Sequence, residues 1–181
     1  MPRYVLTGAP GAGKTAILRT LELAGHAVVE EAATDVIARA HAEGCMLPED
    51  CEEFLSAITA LQVSRRLRHG RDVGPVFFDR SEVCTLALAR FLRRPVPAAL
   101  AAELEHVRDY YEPAAFIVRG QGFVTPTAVR RISVADAVAF ERIHEQAYRE
   151  LGFELVEVPP APLRERAATI LAAVRGPDLS Q

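Results

Sequence analysis

Residues 8–15 read Gly8-Ala9-Pro10-Gly11-Ala12-Gly13-Lys14-Thr15. An apolar run, Arg3 to Thr7, precedes them, and a stretch with Ile17, Leu18 and Leu21 on one helical face follows. Glycines let backbone amides wrap an anion without side-chain clashes, and a helix N-terminus adds unpaired donors and the positive end of its dipole. The octet fits the Walker A pattern, in the strand-then-helix setting that gives the pattern its meaning. A chain built around it is expected to be α/β, with the loop at the carboxyl end of a buried strand. Lys14 is expected to reach the β- and γ-phosphates of a nucleoside triphosphate, and Thr15 to ligate Mg2+. Gly8 to Gly13, with Lys14, Thr15 and Ala16, would form the cradle for ATP or GTP.

Lys14 is also the only lysine among 21 basic side chains. An ammonium is a compact point charge and a guanidinium a wide planar fork, so a lone lysine in a glycine-rich loop marks a place where only the compact cation fits. The net charge of −3 provides neither a basic field for nucleic acid nor a polybasic membrane patch. No apolar run reaches the roughly 18 residues of a spanning helix, and the apolar stretch Tyr4 to Leu6 breaks into glycines too soon for a signal peptide. Cys45, Cys51 and Cys84 lack zinc-type spacing and read as reduced thiols of a cytoplasmic protein.

Hydrophobic periodicity divides the chain into alternating elements. Strands are expected at Arg3 to Thr7, His26 to Glu30, Pro75 to Asp79, Ala114 to Val118 and Glu154 to Val158. Helices are expected at Gly13 to Ala24, Ala32 to Ala42, Glu52 to His69, Glu82 to Leu92, Ala98 to Arg108, Ser133 to Leu151 and Leu163 to Val174. In the helix from Ser133, Ala139, Ile143, Ala147 and Leu151 recur every four residues. The expected architecture is a three-layer α/β/α P-loop NTPase fold, one domain over residues 1–181, with a five-stranded, mostly parallel sheet. An arginine-bearing lid loop is expected at about 120–132.

Three further segments fall at the carboxyl edge, where such sheets bind ligands. Val76-Phe77-Phe78-Asp79-Arg80-Ser81 ends a strand in an acid. Asp79 suits magnesium, directly or through water, and Arg80 suits a phosphate; otherwise Asp79 is a helix-start acid and Arg80 a solvated side chain. Glu30-Glu31 follows the second strand. Either acid there would accept a proton from a substrate hydroxyl or orient a magnesium-bound water, or else would sit in the first turn of a helix. Arg119, Arg130 and Arg131 lie on the lid loop and would neutralise transition-state charge, or form a solvated basic face. The five histidines, His144 among them, read as surface or edge residues. Tyr110-Tyr111 reads as packing, and Pro159 to Pro162 as a strand breaker or a border of the nucleotide base.

These pieces resemble the small P-loop domains catalogued as AAA-type and related to the ribosylnicotinamide kinase domain of bacterial NAD regulators. The resemblance covers nearly the whole chain: "YVLTGAPGAGKTAILRTLELAGHAVVEEAATDVI", "GPVFFDRS", "TPTAVRR" and "FERIHEQAYRELGFELVEVPPAPLRERAATIL". "FFDRS" also looks like the acid-Arg-Ser element of deoxynucleoside kinases, whose carboxylate after the second strand acts as base. By resemblance that role falls on Glu31. Lys14, Asp79, Arg80 and Arg131 complete the implied catalytic set, with Arg130 on the nucleotide. The chain departs from the pattern at Thr34, where an arginine is common, and at Gly120-Gln121-Gly122-Phe123, where aromatic residues are common. The implied activity is transfer of a γ-phosphoryl group to a hydroxyl of a small molecule such as a nucleoside. The alternatives are a nucleotide hydrolase or switch working with a protein partner, and a non-catalytic nucleotide- or lipid-binding module.

Overall fold

The structure is a computed structural model and describes residues 1–69, 74–120 and 134–175. In chain order the elements are β1 (Arg3–Thr7), α1 (Lys14–Leu23), β2 (Ala27–Val29), α2 (Ala32–Ala42), α3 (Phe54–Arg68), β3 (Val76–Asp79) and α4 (Glu82–Phe91). There follow α5 (Ala98–Glu105), α6 (Val107–Tyr110), β4 (Ala114–Val118), α7 (Val134–Glu150), β5 (Glu154–Val158) and α8 (Leu163–Arg175). The strands form one sheet in the order β2-β3-β1-β4-β5, and every pairing is parallel.

Alternation along the strands sends neighbours to opposite faces and builds a core on each. Leu6, Phe77 and Phe116 join Ile17 and Leu21 of α1 and Ile170 of α8. Val5, Phe78 and Ala115 join Val83 and Ala87 of α4 and Phe140, Ala147 and Tyr148 of α7. A third cluster, centred on Ala32, Phe54, Leu55, Ile58 and Ala89, holds α2 and α3 against α4. Among the described residues no helix is long and apolar enough to cross a membrane.

Three strands, β1, β4 and β5, fall where the sequence puts them. β2 is shorter than expected because its flanks are otherwise engaged. The amide of His26 closes the α1 turn on Leu21, and the carbonyl of Glu30 accepts from Arg65 at 2.9 Å. The helix expected from Ala98 to Arg108 breaks at His106, and the break tucks Val107 into the core as the start of α6. The core-facing row of α7 is Ala137, Phe140, His144, Ala147 and Tyr148. Of the expected row only Ala147 is buried, while Ala139 is exposed and Ile143 and Leu151 lie on the flank. The expected cap, Ser133, lies outside the described residues.

A buried polar network fixes the start of α4. Arg66 of α3 donates from Nε to Glu82 at 3.2 Å and from Nη2 to Glu103 at 2.5 Å. The Tyr111 hydroxyl donates to the other Glu82 oxygen at 2.8 Å. Removing one member would leave a buried charge without its partner, so the network is specific as well as cohesive.

At the end of β1 the chain needs glycine. Gly8 has φ +121°, and a Cβ there would lie 2.4 Å from the carbonyl oxygen of Val118 on β4. Gly8→Ala should therefore cost about 3 kcal/mol or more and lower Tm by roughly 6–12 °C, since β1 and β4 must part to admit the methyl. Thermal melting of the two proteins checks this, and an unchanged Tm would mean that the loop does not sit as closely on β4 as described.

Candidate active site

The loop after β1 presents Lys14 as the first residue of α1, with Gly8, Gly11 and Gly13 all at positive φ. Lys14 is buried, and its Nζ donates back to the carbonyls of Gly8 at 3.1 Å and Ala9 at 2.9 Å. Burial, helped by the nearby Arg80 cation, lowers its pKa to about 8, against the pull of Asp79 and Glu31.

Parallel pairing of β1 with β3 sets Leu6 against Asp79, which brings that carboxylate to the loop. The Thr15 hydroxyl donates to Asp79 Oδ2 at 2.9 Å. Asp79 Oδ1 is buried and has no hydrogen-bond partner. Burial raises the Asp79 pKa, and the Lys14 charge works against that rise. A buried carboxylate oxygen left without a donor, beside a threonine hydroxyl, fits the oxygen-rich coordination that magnesium takes alongside phosphate and water.

Arg80 follows in the left-handed region at φ +73°, a conformation that costs a non-glycine residue of order 1 kcal/mol or more. Its amide donates to the carbonyl of Leu6 at 3.1 Å. The side chain turns inward, where Nε donates to Glu31 Oε1 at 2.5 Å and Nη1 to His144 Nε2 at 2.9 Å. Arg80 is thus a largely buried ion-pair partner of Glu31, and its solvated reading fails.

Glu31 occupies the N-cap position of α2, yet its side chain makes no capping bond. It accepts from Arg80 and, on Oε2, from the Thr34 hydroxyl at 2.8 Å. Burial favours protonation, but Arg80, Lys14 and the Thr34 bond outweigh it and hold the pKa at about 2. Glu30 is exposed and pairs with Arg19.

The expectation that His144 lies at the surface is wrong: it is 0% exposed. Its Nδ1 donates to the Phe140 carbonyl at 2.8 Å, which leaves Nε2 to accept from Arg80 and fixes the neutral tautomer. Burial and the Arg80 charge push its pKa well down. A polar residue on a core row needs a buried partner, and the spacing Phe140-His144-Ala147 was the signal available.

Arg119 leaves β4 held by three carboxylates, those of Glu141, Glu145 and Glu157. Its guanidinium is therefore committed to ion pairs within the chain. Arg130 and Arg131, with the expected lid loop past Gly120, lie outside the described residues. Pro162 accepts the amides of Glu165 and Arg166 and so opens α8. All three cysteines are free thiols, with Cys45 and Cys51 Sγ atoms 3.2 Å apart.

Two hollows meet at Glu31. One, of about 270 Å³, is bounded by Thr15, Asp79, Glu30 and Asp35 over a floor of Leu18 and Val29. The other, of about 330 Å³, is walled by Phe54, Ile58, Phe91 and Phe140, and its polar groups include Arg80, Gln62, Thr85, Glu49 and Asp136. The Gln62 carbonyl accepts from the Thr85 hydroxyl at 2.9 Å. That Gln62 faces a cavity has no local signal in the sequence.

Glu31 carries a pH dependence whose sign follows from its pKa. A carboxylate held at about 2 instead of the usual 4.5 stabilises the fold above about pH 4.5, and that contribution is lost as pH falls towards 2. Glu31→Gln should flatten the decline of Tm between about pH 4.5 and 2.5. Melting curves of both proteins across that range test it, and parallel curves would show that Glu31 is not held by Arg80 in solution.

A family model described as "AAA domain" matches residues 3–166. No curated protein matches the chain. Deoxyadenosine kinase from M. mycoides, solved with dCMP and dCDP, is similar at a TM-score of 0.64 and 13% identity, over 97% of this chain and 100% of that one. NadR protein, solved with NAD and AMP-PNP, gives 0.69 at 14% identity over 99% of this chain, which spans 51% of that one. Shikimate kinase from Acinetobacter baumannii, solved with shikimate, gives 0.57 at 17% identity, over 99% and 96% of the two chains. The shared fold is the α/β P-loop kinase fold.

Proposed function

The chain belongs to the AAA domain family, and on that premise we propose that it is a kinase. It binds ATP or GTP with magnesium and transfers the γ-phosphoryl group to a hydroxyl of a small molecule such as a nucleoside. The observation that carries this reading is the position of Glu31, which borders both the hollow holding Thr15 and Asp79 and the larger, mostly apolar cavity holding Arg80 and Gln62. A carboxylate between the Thr15–Asp79 pair proposed to hold magnesium and an acceptor-sized cavity stands where an in-line attack needs a proton acceptor.

In the proposed reaction the acceptor oxygen bonds to the γ-phosphorus, the bond from that phosphorus to the β–γ bridging oxygen breaks, and the nucleoside diphosphate departs. The acceptor proton passes to Glu31. Lys14 leaves the carbonyls of Gly8 and Ala9 for the phosphates. Arg80 orients Glu31 and adds positive charge beside the transferring group. Thr15 and Asp79 would hold magnesium, which when bound neutralises phosphate charge. Phe54, Phe91 and Phe140 keep water from the acceptor side, and Gln62 offers an amide to a polar ring.

Lys14→Ala should abolish tight binding of ATP–magnesium, because it removes a charge-assisted contact of about twice the strength of a neutral one. Calorimetry reads this directly, and wild-type affinity in the variant would overturn the cradle.

Glu31→Gln should lower kcat by about 100- to 10,000-fold with ATP affinity almost unchanged. The acceptor for that assay comes from mass spectrometry of nucleosides and polyhydroxylated alcohols incubated with ATP and the protein. Steady hydrolysis with no phosphorylated product, raised by a protein partner and indifferent to Glu31→Gln, would favour a hydrolase or switch instead.

A further inference from the structure

Arg166, in the first turn of α8, is 2% exposed. Its Nη2 donates to the carbonyl of Arg119 at 2.9 Å, and its buried Nε meets no acceptor. Burial lowers its pKa, and among the described residues no charged group offsets that effect. An interior guanidinium without a counter-charge among the described residues is costly, and a bound anion would supply what is missing.

The position of the side chain says which anion. A Cβ on Gly13 would lie 3.0 Å from Arg166 Nη1, so the guanidinium rests directly against the loop that ends at Lys14. The sheet order places Asp79 and Glu31, after β3 and β2, on one flank of β1. It places Arg119 and Arg166, after β4 and β5, on the other. A triphosphate whose γ-phosphorus faces Glu31 must carry its nucleoside end towards the second flank.

We propose that Arg166 is a further anion contact of the nucleotide site, donating to an oxygen of the phosphate nearest the nucleoside. The proposal rests on the nucleotide reading given above. Lys14 and Arg166 then divide the polyphosphate between them, the ammonium taking the transferable end and the guanidinium the fixed end. The planar fork suits a phosphate that stays in place through the reaction.

The test compares wild type with Arg166→Met and Arg166→Lys by calorimetry against ATP, ADP and inorganic pyrophosphate, with Tm measured on each ligand-free protein. Arg166→Met should weaken ATP and ADP by the same factor, about tenfold to a hundredfold for a charged hydrogen bond, and Arg166→Lys should recover part of it. Ligand-free Arg166→Met should melt no lower than wild type, because it removes an unpaired buried charge. A fall in Tm with unchanged nucleotide affinity would make Arg166 a prop for the loop and overturn the proposal. A larger loss for ATP than for ADP would move the contact to the transferable end and overturn it as stated. Should the wild type bind neither nucleotide, the function reading fails, and pyrophosphate decides the rest. Arg166-dependent pyrophosphate binding upholds the anion contact, and no binding overturns it too.

Discussion

The guanidinium of Arg80 holds the site together. It sits where the chain leaves β3, and its amide continues the pairing of β3 with β1 by donating to Leu6. Its left-handed backbone turns the next residue, Ser81, into the cap of α4, where Oγ accepts from the Val83 amide at 3.3 Å and meets the Tyr148 hydroxyl at 2.7 Å. Three consecutive residues thus face three ways: Asp79 to Thr15, Arg80 to Glu31 and His144, and Ser81 to α4 and α7. Such a reversal cannot be made in a β conformation, so the backbone strain at Arg80 is the cost of this division. The paired Glu31 and the apolar packing of Phe78, Val83 and Tyr148 offset it.

Around that residue the charges are unequal. Lys14 and Arg166 are buried cations and Arg80 a partly buried one, while Asp79, buried, and Glu31, partly buried, are the acids beside Lys14 and Arg80. Lys14 spends two of its three donors on carbonyls of its own loop, and Arg166 leaves one donor unused. Each is a poor arrangement for stability alone, and on the proposed reading the two together form a cradle preorganised for an anion. His144 adds a neutral acceptor where a second carboxylate would have cancelled the Arg80 charge. It steers the guanidinium without reducing the positive potential felt at the loop.

The architecture was legible because the signals for it are local. Short runs rich in apolar residues, bordered by Pro2 and Gly8, by Pro113, and by Pro159, place β1, β4 and β5, and the glycine octet defines the turn after β1. The ends of β2 and the break at His106 were not legible, since they depend on Arg65 reaching Glu30 and on Val107 finding the core, contacts distant in sequence or set by packing. The site divides in the same way. Lys14, Thr15 and Asp79 could be chosen from motif and strand position. The bond from Arg80 to Glu31 spans 49 residues and that from Arg80 to His144 spans 64, and no period in the sequence encodes either. Arg166 carries no sequence signal of its own, because its burial follows from the sheet order that brings α8 beside the P-loop.

The low pKa of Glu31 bears on its proposed role as a base. A carboxylate at about 2 is always ionised near neutral pH, but it attracts a proton weakly. What holds it down is chiefly the positive charge of Arg80 and Lys14, with the Thr34 bond behind them. On the proposed reading a bound triphosphate sets several negative charges against those two cations. Their pull on Glu31 falls, and its proton affinity rises when the phosphoryl donor is present. The acceptor hydroxyl then needs only to displace the Thr34 bond, which is the weaker of the two side-chain contacts because its donor is neutral. The basicity of the site is thereby coupled to its occupancy through ordinary Coulomb terms, without a conformational change in the sheet.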